Sequence, residues 1–143
     1  MIVLSLNIRG IGGPLKTASF RRLLETSKPD VIFLQETLTM EQNARDFLHK
    51  FRPTWFSVAV SSLGKSGGLL VSWDPDLLEL RPYLTRGGIL LVGYSLATNQ
   101  ELVFLNVYGP CSDKLAFWMH LAGSPMFPFS FWSSSSGEGK APC

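Results

Sequence analysis

Charge is scarce in this chain: 17% of its 143 residues are Asp, Glu, Lys or Arg, and the formal net charge is only +2. A balance that small gives no argument of its own for nucleic acid. The charges are uneven, however. Met1 to Lys28 carries Arg9, Lys16, Arg21, Arg22 and Lys28 against Glu25 alone. That basic N-terminal region fits a binding face, with an ordinary solvated helix face as the plainer alternative. Cysteine is also rare. Cys111 and Cys143 form no CxxC pair and have no histidine at finger spacing, which excludes a zinc finger. Two free thiols suit a reducing, intracellular compartment. Neither His49 nor His120 has an acidic partner in sequence, so neither is given a role. No apolar run approaches the ~20 residues of a membrane helix. The opening MIVLSLNIRG lacks the basic n-region and long h-region of a signal peptide and reads as a first strand. What the chain does have is apolar content, 45% hydrophobic, enough for one domain with a sizeable core and too much for a disordered chain.

The order of patterns sets the organisation. Ile2 to Leu6 is a short apolar run ending at Asn7, followed by a loop rich in glycine. Phe20, Leu23 and Leu24 at helical spacing predict a helix over Leu15 to Ser27. Lys28-Pro29-Asp30 breaks it. Val31 to Leu34 reads as a second buried strand, ending at Gln35-Glu36-Thr37. Thr39 with Gln42 makes a capping-box pattern. Met40, Ala44, Phe47, Leu48 and Phe51 then share one helical face. Five β-rich runs follow: Phe56–Val60, Leu69–Trp73, Leu77–Tyr83, Ile89–Leu96 and Glu101–Val107. Their close spacing favours antiparallel neighbours, because a parallel crossover takes about a dozen residues or more. Lys114 to Ala122 predicts a last helix. Trp55 and Trp73 read as core residues. From residue 123 a Ser-, Phe- and Pro-rich tail begins, on which no secondary structure is imposed. The expected domains are thus 1–122 and a divergent tail, 123–143.

Three strings end apolar runs with polar groups. Glu36 lies directly after VIFLQ, at the C-terminal end of a buried strand, where ligands bind in α/β architectures. A carboxylate there can hold Mg²⁺, which keeps several waters and takes further oxygens from a phosphate. A surface glutamate at a strand-to-loop junction is the plainer alternative. Asn7 ends the first strand as Glu36 ends the second. If those strands are neighbours, amide and carboxylate converge. Asn7 before Arg9-Gly10 also fits a simple turn. Asn106 and Tyr108 lie two apart on a strand and so face one way. A tyrosine hydroxyl at a strand end can donate to a phosphate oxygen, or can be a satisfied core group. The loop GIGGP invites comparison with a dinucleotide site. Leu15 stands where the third glycine of G-x-G-x-x-G belongs, and that reading fails.

Together, SLNIRGIG, PDVIFLQET, SGGLLVSW and FLNVYGP resemble the exonuclease–endonuclease–phosphatase superfamily. Within it the chain most resembles the apurinic-type endonuclease domain of plant LINE-type retrotransposons, from Ile2 to about Ala122. The resemblance implies a fold of two β-sheets packed face to face with outer helices, an α+β architecture. It implies hydrolysis of a DNA phosphodiester with Mg²⁺ or Mn²⁺. It assigns metal binding to Glu36, support of catalysis to Asn7, phosphate contact to Tyr108, and substrate binding to Asn106 and Arg9. It also makes a nuclear location an expectation.

The family continues with G-D-x-N and S-D-H strings. Here Gly-Asp never occurs, and Ser112-Asp113 is followed by Lys114. The expectation is therefore a partial sandwich with its C-terminal half missing, inactive alone and weak in metal binding. It would have exposed strand edges open to self-association. Two rival readings stay open. One is a non-catalytic module that binds nucleic acid or protein. The other is an enzyme of the same class acting on an RNA tail or a phosphorylated small molecule.

Overall fold

The computed structural model describes residues 1–85, 87–109 and 113–123. The chain divides between Tyr108 and Gly109 into two units. The first holds β1 (Val3–Asn7), α1 (Pro14–Ser27), β2 (Val31–Gln35), α2 (Glu41–His49), β3 (Phe56–Val60), β4 (Leu69–Trp73), β5 (Leu78–Leu84), β6 (Gly88–Ser95) and β7 (Glu101–Val107). The described part of the second holds α3 (Lys114–Ala122), where the sequence placed it. The expected tail from residue 124 onward and both cysteines lie outside the described residues.

Two sheets form. The first has the order β1-β2-β4-β3 and the second β5-β6-β7. Only β1 and β2 run parallel, with α1 as the crossover between them. β4 lies antiparallel to both β2 and β3, and the second sheet is an antiparallel meander. Close strand spacing thus gave antiparallel neighbours as expected. Pro82 sits inside β5, which is tolerated because β5 is an edge strand and can spare a ladder donor.

The four central-sheet residues Val31 to Leu34 are all buried because the two faces of β2 meet different layers. Ile32 and Leu34 face the helices, where Phe20, Leu24, Phe47 and Leu48 close a core. The rings of Phe20, Phe47 and Phe51 stack with centroids 5.2–5.3 Å apart. Val31 and Phe33 face the second sheet, where Leu78, Leu80, Ile89 and Leu91 close the other. Trp73 lies in that inter-sheet core and Trp55 packs on the helical one, as the sequence suggested. The middle strands β2 and β4 of the first sheet therefore lie between helices and a second sheet, which is why these two read as near-continuous apolar runs.

Two local expectations are corrected. The capping box at Thr39 does not form: the N-cap is Met40, with no side-chain cap bond of its own. The Glu41 N–H is instead taken by Ser61 Oγ at 2.9 Å, from the end of β3. Tertiary structure supplies the partner that a local box would have provided. Met40, expected on the apolar face, is exposed as a result. The second helix also stops at His49, and Phe51 reaches the core from the turn after it.

Candidate active site

The site is best followed from the end of β2. β1 and β2 are parallel neighbours in register, Asn7 opposite Gln35. Asn7 and Glu36 therefore leave the sheet at the same end, one residue out of step. The condition set by the sequence, that the two strands be neighbours, holds. Ile8 N–H donates to Gln35 O at 3.0 Å, and Gly10 N–H donates to Glu36 O at 2.7 Å. These bonds tie the loop after β1 to the turn after β2.

Both segments are conformationally costly. Arg9 has φ 49°, Glu36 φ 53° and Leu38 φ 53°, all left-handed and none of them glycine. Each such residue costs roughly 1–2 kcal/mol and persists only where its surroundings hold it. The surroundings here are specific. Thr37 N–H donates to Gly68 O at 3.2 Å, and Leu38 N–H donates to Gly67 O at 3.1 Å. Gly68 itself has φ +87°, and a Cβ there would collide with Thr37 Oγ1. The glycine pair of SGGLLVSW is thus more than a strand separator. It lets one backbone approach another closely enough to hold Glu36 in place. Thr37 is buried, and its hydroxyl has no hydrogen-bond partner.

Beneath this turn lies Asn106, 1% exposed on β7. Its Nδ2 donates to Leu34 O at 3.2 Å and to Leu70 O at 3.0 Å. Leu34 and Leu70 are opposite each other on β2 and β4, so one amide straddles a ladder pair of the first sheet from a strand of the second. Its Oδ1 accepts from Gln35 Nε2 at 2.7 Å, and the same Nε2 reaches Ser5 Oγ at 3.2 Å. A polar chain therefore runs from β1 through β2 and into β7, directly below Glu36. Asn106, expected among the substrate-binding residues, has its amide buried and bonded within the protein.

The remaining candidates are placed as follows. Tyr108 follows Asn106 by two residues, is half-buried against the inter-sheet core, and donates its N–H to Gly87 O at 3.3 Å. Arg9 is exposed. Asn7 is exposed and Glu36 half-buried. The C-terminal ends of β1, β2 and β7 thus meet around Glu36, with Asn7 and Arg9 on one flank. The sequence reading passed over Gln35, although it is the link between Ser5 and Asn106. A polar residue at the last position of a buried strand was the available signal.

No family profile matches the sequence, and no curated protein matches it. Solved structures do match. The AP endonuclease LMAP from Leishmania major superposes over 85% of this chain and 44% of its own, with 18% identity and a TM-score of 0.59. ANGEL2, a 2′,3′-cyclic phosphatase, covers 87% of this chain and 48% of its own, with 11% identity and a TM-score of 0.56. The fold is the one these hydrolases share. An AP endonuclease from Archaeoglobus fulgidus agrees, over 85% of this chain and 48% of its own, with 17% identity and a TM-score of 0.52. The chain spans less than half the length of each of these structures. The two-sheet α+β architecture expected from the four strings is therefore found. Among the described residues, no helix is long and apolar enough to cross a membrane.

Among the same residues no group of three His, Cys, Asp or Glu side chains stands together. The donor set at the strand ends is one carboxylate and one amide. Neither the Glu36 carboxylate nor the Asn7 amide has a hydrogen-bond or ion-pair partner among the described residues. That set suits Mg²⁺, which takes one or two carboxylates and fills its other positions with water and phosphate oxygens. It would not enclose a metal by itself.

Proposed function

We propose that this chain is a phosphodiesterase-type module that binds Mg²⁺ or Mn²⁺ and the phosphates of DNA, with little or no hydrolysis by itself. The supporting observation is the in-register end of β1 and β2, where a carboxylate and an amide, both without a partner among the described residues, leave one end of the sheet through two strained turns. Glu36 would hold the ion, with Asn7 beside it. The bound ion would polarise a phosphate and neutralise its charge. Arg9, exposed and without an ion pair among the described residues, would contact a neighbouring phosphate. Tyr108 would donate to a phosphate oxygen from the end of β7.

Water activation calls for a group that takes a proton near neutral pH. Among the described residues, the side chains placed at the strand ends beside Glu36 are the amides of Asn7, Gln35 and Asn106 and the phenol of Tyr108. None is a base of that strength, which is the ground for proposing binding without turnover. The DNA substrate, an origin in a LINE-type element and a nuclear location rest on the four strings and are part of the proposal. Plasmid relaxation with Mg²⁺ provides the test. The expected result is no nicking above that of Glu36→Ala, together with DNA association that weakens as salt rises. Nicking that depends on Glu36 would overturn the inactive part, and absence of DNA association would overturn the rest. Association that ignores Glu36 and metal would favour the non-catalytic interaction module.

A further inference from the structure

The basic residues of the N-terminal region do not all face solvent. Lys16 lies in the first turn of α1, two residues after the Pro14 that starts it. A cation there opposes the helix dipole, so the position is a poor one for a lysine that only solubilises a surface. Its side chain is half-buried. Its ammonium donates to Ile8 O at 3.0 Å, Arg9 O at 2.8 Å and Gly10 O at 2.8 Å. An ammonium has three N–H donors, and three consecutive carbonyls use all of them.

Those carbonyls belong to the loop that leads from Asn7 at the end of β1 to α1. Arg9 and Gly10 have φ 49° and 88°, so two successive left-handed residues fold the chain around a single point. Three carbonyl dipoles converging there would repel one another without a cation between them. The ammonium occupies that point. The outer side of the same loop carries Ile8 N–H and Gly10 N–H, which bond to the Gln35 and Glu36 carbonyls. Holding the inner side therefore holds the outer side in register with the Glu36 turn.

We infer that Lys16 is a positioning residue of the candidate site, an internal cation whose three carbonyl bonds fix the Ile8–Gly10 loop and so set Asn7 and Arg9 against Glu36. It acts through the loop and touches no substrate. The inference rests on the reading above for what Asn7 and Glu36 do, and on the loop geometry alone for what Lys16 does.

The test uses NMR of the full chain. In the unaltered protein, the Lys16 ammonium should give a distinct, slowly exchanging signal, while exposed Lys28, Lys50 and Lys65 exchange rapidly. In Lys16→Met, the amides of Ile8 and Gly10 should exchange about tenfold faster, the loss of roughly one net hydrogen bond's worth of local protection. Amides of β6 and β7 should keep their rates. Mn²⁺ affinity of the same variant should fall several-fold. An ammonium signal like those of the exposed lysines, or Ile8 and Gly10 rates unchanged by Lys16→Met, overturns the inference. If the variant does not fold, the ammonium signal of the unaltered protein decides alone. If the exchange rates move but neither protein binds Mn²⁺, the clamp stands and the metal reading falls. If both bind Mn²⁺ equally and the rates do not move, the clamp falls and the metal reading stands.

Discussion

Replacing Asn106 should separate the two sheets energetically more than any other single polar change in the first unit. The side chain is 1% exposed, so solvent cannot replace its bonds without entering the core. Asn106→Ala removes the bonds to Leu34 O, Leu70 O and Gln35 Nε2. At ~0.5–1.5 kcal/mol net for each, the loss is about 2–4 kcal/mol. Both carbonyls keep their second lone pair and Gln35 keeps Ser5, which holds the figure below that of three wholly orphaned groups. Asn106→Asp sharpens the test. A carboxylate would face two carbonyl oxygens in a buried site, which raises its folded pKa above the ordinary Asp value of about 3.9. The variant's stability should then be lost as pH rises through that raised value and recovered as pH falls toward the unfolded one. Urea unfolding followed by tryptophan fluorescence at several pH values gives both results. An Asn106→Ala change within about 0.5 kcal/mol, the scale of an ordinary surface substitution, would refute the bracket. So would an Asn106→Asp variant with no pH trend of its own.

Four further outcomes are expected. Gly68→Ala should destabilise by about 2–4 kcal/mol, from left-handed strain plus a clash with Thr37. Gly64→Ala, also at positive φ but with open space around it, should cost only about 1 kcal/mol in the same denaturation assay. Thr37→Val should be neutral or slightly stabilising, because the buried hydroxyl it removes has no partner. A clear loss of stability there would mean that the hydroxyl is bonded after all. Ser5→Ala should shift stability by less than about 0.5 kcal/mol, since its single 3.2 Å bond is exposed and Gln35 retains Asn106.

The elements were legible because their periodicities are clean. VIFLQ and LLVSW are unbroken apolar runs, and they became the two central strands whose faces are both covered. The helix over residues 114–122 and the meander were likewise visible from spacing alone. The convergence of Asn7 and Glu36 was legible only as a condition, because period and propensity do not say which strands pair. Less was visible where function depends on contacts far apart in sequence. Asn106 meets Leu34 across 72 positions and Leu70 across 36, and nothing local marks a residue that spends its amide on another sheet. Lys16 looked like one more surface cation, since no pattern shows a side chain folding back on carbonyls six to eight residues earlier. The capping box at Thr39 misled for the converse reason: Ser61, twenty residues from Glu41, took the donor first.

The central claim, that the paired ends of β1 and β2 form a metal site on Glu36, is tested most directly by paramagnetic broadening with Mn²⁺. Adding substoichiometric Mn²⁺ to the labelled protein should broaden the amides of Asn7, Ile8, Glu36 and Thr37 first, and Glu36→Ala should abolish that broadening. Broadening centred elsewhere, or unchanged in Glu36→Ala, would contradict the claim.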